Sequence, residues 1–212
     1  MTIDPATEAH PDAQQVLDSL LYSVSHDLRS PLLTMTLSAE LIESALDREG
    51  VSSEGTSLAV RSLRQGAADM ERMLQTLMLL SRARRKQIEP ARGALQVILG
   101  GHFVVSEGDV LPRRIALVDP LQVREMLDAV AGDDPLEVHV RVYDGRADLE
   151  FPVPALEHGP TPLHAVAASL KQYAATPVET LAVGQILVER QGGAVRAESG
   201  RVVISLPIEG VT

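Results

Sequence analysis

The chain has 212 residues, with 19 Lys and Arg against 29 Asp and Glu, so it carries a formal charge of −10 at pH 7. Hydrophobic residues make up 45%, too many for a disordered chain, and the acidic balance argues against nucleic-acid binding, which needs clustered cations. Cysteine is absent, which excludes disulfides and thiolate chemistry; no apolar run approaches the ~20 residues that cross a bilayer, and Met1-Thr2-Ile3-Asp4-Pro5 has no signal-peptide pattern, so a cytoplasmic chain with no membrane partner is expected.

Residues 1–11 read as a tail, and residues 12–87 as two helices. The first carries apolar residues at alternating three and four spacing: Leu17, Leu21, Val24, Leu28, Pro31, Met35 and then Ile42, widened by Leu20, Leu32, Leu41 and Leu46. The polar stretch Asp47–Gly55 holds two glycines and reads as a turn. The second helix repeats the pattern with Val60, Leu63, Ala67, Met70, Leu74 and Leu77, flanked by Met73 and Leu80. Two such helices joined by one turn make an antiparallel hairpin. One hairpin buries only one side of each helix, so a homodimeric four-helix bundle is the natural solution. The alternative is that the hairpin packs its free seam on the C-terminal half. Arg82, Arg84, Arg85 and Lys86 close the second helix and complement its dipole.

Residues 88–93 read as a linker and 94–212 as a second domain. Leu95–Leu99, His102–Ser106 and Arg114–Val118 are expected strands. Asp119-Pro120 caps a helix running to about Ala131. Leu136–Tyr143 alternates as a strand, Asp144-Gly145 turns it, and Leu149–Val153 returns. Pro162–Ala175 is an expected helix. Thr176-Pro177-Val178-Glu179 reads as a capping box opening another, which stops at Gly192-Gly193. Ala194–Glu198 and Arg201–Pro207 form a hairpin around Ser199-Gly200. The fold class is therefore α+β: a helical hairpin followed by an α/β sandwich of mixed sheet and a few helices.

The most informative stretch is Tyr22–Leu32. At about 100° per residue, His26 lies opposite the seam residues Val24 and Leu28 and so points to solvent, sharing its face with Ser23 and Ser30. Asp27 and Arg29 flank it. Pro31 removes a helical hydrogen bond and bends the chain just beyond. An exposed imidazole, a carboxylate able to orient it or take its proton, and an arginine able to steady phosphate oxygens suit phosphoryl transfer. The remaining histidines, His102, His139, His158 and His164, show no metal-ligand spacing.

Ser25-His26-Asp27-Leu28-Arg29-Ser30-Pro31-Leu32 resembles the H-box of sensor histidine kinases, in their dimerisation and histidine-phosphotransfer domain. Leu77–Arg82 is similar to that family's exit from the second helix. The resemblance implies that His26 is the phosphorylated residue and Asp27 the adjacent acid/base. It also implies that Ser30 stands where the family often has a threonine that positions water for response-regulator dephosphorylation. The second domain resembles the family's ATP-binding domain, with departures. Where asparagines are expected, near Ala129 and Asp133, neither position holds one. Val153–Gly159 replaces an Asp-x-Gly-x-Gly, and Ala175–Thr180 replaces a Gly-rich loop. Side chains in place of glycine block backbone N–H groups from phosphates, and Glu179 would set a negative charge near a triphosphate. No cofactor is therefore expected on this chain, with Mg²⁺ supplied by a partner receiver domain. The expected role is a histidine phosphotransfer protein of a phosphorelay, resembling phosphotransferases that kept the kinase architecture and lost ATP binding. Its expected partners are response-regulator receiver domains, a hybrid histidine kinase and a second copy of itself. The alternatives are a non-catalytic pseudokinase or scaffold and a divergent active kinase.

Overall fold

A computed structural model describes residues 28–29, 32–48, 50, 54–88, 91–99, 103–105, 115–131, 136–143, 145–156, 159–198 and 200–209. The N-terminal tail, the seam residues Leu17, Leu20, Leu21, Val24 and Pro31, and the imidazole of His102 lie outside them. By internal contacts the chain forms two units, Met1–Ser81 and Arg82–Thr212.

In the first unit, residues 28–29 and 32–48 are helical (α1) and Glu54–Arg85 form a second helix, α2. They run antiparallel. Arg29 reaches Met78 and Arg64 reaches Glu43, so fourteen residues forward along α1 match fourteen back along α2. Leu32 and Ala39 on α1, and Val60 and Ala67 on α2, are buried. Leu28, Met35 and Ile42 on α1, with Leu63 and Met70 on α2, are exposed. On α2 the residues read as one seam divide between a buried and an exposed row, whereas on α1 the described residues of the main seam are exposed and the buried contacts come from Leu32 and from Ala39, which the sequence reading did not include. The small Ala39 and Ala67 lie on the buried side, where close helix approach favours small side chains. The larger residues project from the other.

The second unit is built on a five-stranded mixed sheet. Its elements in chain order are β1 (Gly93–Ala94), α3 (Leu95–Leu99), β2 (Phe103–Val105), β3 (Ile115–Ala116), α4 (Pro120–Ala131), β4 (Leu136–Tyr143), β5 (Arg146–Pro152), α5 (Pro162–Ala168), α6 (Leu170–Tyr173), α7 (Pro177–Glu189), β6 (Ala194–Glu198) and β7 (Arg201–Pro207). The strand order is β2-β4-β5-β7-β6, with β2 parallel to β4 and every other pair antiparallel; β1 and β3 pair separately. Period-two alternation sends Val138, Val140, Ala147, Leu149, Phe151, Val202 and Ile204 to one buried face. Helices α4, α5 and α7 cover that face. The other face carries charged side chains. The architecture is α+β, as read from the pattern of strands and helices.

Two local expectations are corrected. Leu95–Leu99 is a short helix, not a strand: Leu95, Ile98 and Leu99 are buried at i, i+3 and i+4, a helical spacing, while Val97 is exposed. The helix expected over Pro162–Ala175 is two helices, interrupted at Ser169 (φ −144°), whose N–H caps the first by bonding the Ala165 carbonyl at 3.0 Å. The second piece delivers Tyr173 into the core.

Candidate functional site

Of the four residues read as the phosphotransfer site, Arg29 is described, and His26, Asp27 and Ser30 lie outside the described residues. Arg29 is exposed on α1, and its guanidinium approaches the Met78 sulfur at 3.8 Å. One arm of the side chain is thereby laid across to α2, with the cation still in water. Two turns further on, Thr36 bonds back to the Leu32 carbonyl at 3.1 Å, satisfying its hydroxyl within the helix. A third row on α1, Leu33, Leu37 and Leu41, is spaced by four and exposed.

The segments of the second unit that the sequence reading compared with a nucleotide site lie at α4, α7 and the residues before them. Asp119 caps α4, its carboxylate accepting from the Leu121 N–H at 3.0 Å. Gln191, just beyond α7, accepts from the Asp119 N–H at 2.8 Å and donates to the Gln122 side chain at 2.9 Å, tying the two helices together. Between them Met126 is buried against Gly184: a Cβ at that glycine would lie 2.2 Å from the Met126 sulfur. The helices are therefore in direct contact there, with a thioether filling the space. Ala129 is half-buried near the end of α4, and Asp133 lies outside the described residues. After β5 the Val153 N–H extends the ladder to the Gly200 carbonyl at 2.7 Å, then the chain turns, with the Leu156 N–H bonding the Val153 carbonyl at 2.9 Å; Val153 and Leu156 are buried.

The start of α7 departs from the capping box read in the sequence. The Thr176 hydroxyl donates to the Tyr173 carbonyl at 2.6 Å and makes no cap bond. The Glu179 carboxylate turns back and accepts from the N–H of Ala175, one residue before the cap. Glu179 is buried, so its charge lies at the positive end of its own helix rather than projecting into open space. The sequence carried the signal, a glutamate at the third helical position, but placed its partner one residue late. Ala175 pays for this turn with a left-handed backbone, φ 60°.

On the outer face of the sheet, Glu150 on β5 accepts from Arg201 at 2.7 Å, and Arg141 stands 3.4 Å away. The hydrogen bond from Arg201, reinforced by both guanidinium charges, holds the Glu150 carboxyl below its ordinary value. Asp148 on the same strand accepts from Tyr143 at 2.9 Å and from Ser205, with Arg196 at 3.6 Å. Sequence reading did not single out these charges, because their meeting depends on strand register. Among the described residues, no group of three or more His, Asp or Glu could hold a metal ion, and no helix is long and apolar enough to cross a membrane.

Residues 16–86 match the His Kinase A (phospho-acceptor) domain. No curated protein sequence matches the chain significantly. Among solved structures, the chain is similar to full-length ShkA in complex with AMPPNP, at 16% identity and TM-score 0.47, covering 92% of this chain and 46% of that one. It is similar to the histidine kinase AdeS of Acinetobacter baumannii, at 12% identity and TM-score 0.41, covering 87% and 97%. It is also similar to a bacterial phosphotransferase, at 12% identity and TM-score 0.29, covering 97% and 98%. The chain thus spans about half the length of ShkA.

Proposed function

We propose that the chain, whose residues 16–86 match the His Kinase A phospho-acceptor domain, is a member of the sensor histidine kinase family. Membership gives it a two-component phosphotransfer role. Within that role we assign it to phosphate relay without ATP. His26 is the acceptor. Its imidazole nitrogen attacks the phosphorus of a receiver aspartyl phosphate. The N–P bond forms as the P–O bond to the aspartate breaks, the carboxylate leaves, and the imidazole proton passes to Asp27 or water. The reverse step charges a second receiver. Arg29 steadies the phosphoryl oxygens, and Ser30 acts on water in any receiver dephosphorylation; Mg²⁺ held by the receiver would supply neutralisation of the phosphoryl charge.

The observation that carries the reading is the start of α7. There a buried carboxylate of the chain itself, Glu179, accepts from the backbone N–H that precedes the helix. A helix start free of side-chain carboxylates can receive phosphate, whereas one already answered by a carboxylate repels it. The Met126–Gly184 contact adds a filled space between α4 and α7. The exposed row Leu28, Met35 and Ile42, with Leu63 and Met70, supports a homodimer. The row Leu33, Leu37 and Leu41 supports receiver docking on the same hairpin.

The test is transfer of label from phosphorylated receiver proteins to this chain, followed by mapping of the acid-labile product. Wild type should accept at His26, and His26→Ala should accept nothing while keeping its fold. Equal acceptance by both proteins would overturn the site. Acceptance by neither from any receiver would leave a scaffold as the function.

A further inference from the structure

Gly66 lies in the interior of α2, where glycine disfavours the helix about fivefold against alanine. A Cβ built there meets nothing within 4 Å, so no contact within the chain requires its absence. Its neighbours on the helix surface are Leu63, three residues before, and Met70, four residues after. Both are 38% exposed and belong to the apolar row that the hairpin leaves uncovered. Between two projecting side chains, Gly66 is a notch. The same hairpin carries a matching knob. Ile42, 48% exposed, is the most exposed of the α1 row Leu28, Met35 and Ile42. Arg64 reaches Glu43 across the hairpin, so Ile42 lies level with Gln65, about one residue or 1.5 Å from Gly66 along the axis.

From this pairing we propose that Gly66 is the notch that seats Ile42 of a second copy of this chain. The contact rests on the homodimer proposed above and fixes how its two hairpins meet. A twofold axis along the hairpin keeps every residue at its own level. It therefore brings Ile42 of each copy beside Gly66 of the other. A twofold axis across the hairpin at Met35 would instead carry Ile42 to the level of Leu28, where α2 holds Met78 and Leu79 and no glycine. Knob and notch at one level of one hairpin are self-complementary, which is the property of an interface between identical chains. A different protein would have to supply both, at the same spacing. The contact involves neither His26 nor phosphate transfer.

Sedimentation equilibrium of the full chain tests the contact. Wild type should be a dimer. Gly66→Ala should raise the dimer dissociation constant about tenfold, because a methyl group overfills the notch, even though alanine strengthens the helix itself. In an Ile42→Ala background the same change should alter the constant less than about twofold, since the shortened knob leaves room for the methyl. Circular dichroism of each variant reports that the helices are intact. An unchanged or tighter dimer for Gly66→Ala overturns the contact. Equal weakening in both backgrounds also overturns it, and would make Gly66 a bend in α2 instead. A monomeric wild type would overturn the homodimer itself, and the contact with it.

Discussion

Ala175 is the one non-glycine residue with positive φ among those described. A left-handed backbone crowds Cβ against the following carbonyl at a cost of about 1–2 kcal/mol, and glycine is free of it. The Ala175 side chain is exposed, so Ala175→Gly removes strain without opening a cavity. Part of the gain is offset by the greater freedom of glycine in the unfolded chain, leaving ~0.5–1 kcal/mol of added stability, or a Tm rise of about 2 °C. Thermal denaturation should show that rise; an equal fall would mean that the turn has another conformation. Gly184 makes the opposite case. Met126 and Gly184 are in direct contact, so Gly184→Ala forces the buried thioether aside and should cost ~2 kcal/mol in denaturant unfolding. Adding Met126→Ala should make the second change less than additive, since the clash then has no partner.

At the scale of elements, the hairpin separates two kinds of apolar residue that look alike in sequence. Ala67 is 2% exposed and Met70 38% exposed, though both belong to one apolar repeat on α2. Met70→Glu should therefore leave helix content nearly unchanged and shift the protein from dimer to monomer in sedimentation. Ala67→Glu should unfold the hairpin, because it buries an unpaired carboxylate. A Met70→Glu protein that sediments as wild type does would remove this row from any interface. Other elements show why some of the fold was legible and some was not. β4, β6 and β7 announce themselves by alternation and by turn glycines, a signal local to each strand. Leu95–Leu99 is five residues of mostly apolar chain, short enough to satisfy either period until burial of Leu95, Ile98 and Leu99 chooses the helix. The break at Ser169 has no glycine or proline to mark it. It serves the burial of Tyr173, a tertiary demand that propensity does not see.

Across the whole molecule, the two units differ in how much function their sequences expose. The segment proposed to accept phosphate is written in contiguous residues around His26, within residues 16–86 that match the phospho-acceptor domain, so a linear reading suffices to propose it. The charges on the outer face of the sheet come from two hairpins, β4–β5 and β6–β7, which are distant in the chain and are brought together by the register of β5 with β7. The nucleotide question falls between these cases. Missing glycines and asparagines can be read directly, but the fate of Glu179 cannot. As a projecting carboxylate it would merely repel a triphosphate. Turned back onto the Ala175 N–H, it is held within its own chain instead. Removing its charge alone should therefore not create a site, because Met126 still fills the space between α4 and α7. Titration calorimetry with ATP and Mg²⁺ at millimolar nucleotide should show no saturable heat for wild type, for Glu179→Gln or for Glu179→Gln/Met126→Ala, and labelled ATP should leave no label on His26. A saturable signal in wild type would make the chain an active kinase of divergent sequence. A signal confined to the double variant would instead mean that these two side chains alone close an otherwise competent pocket.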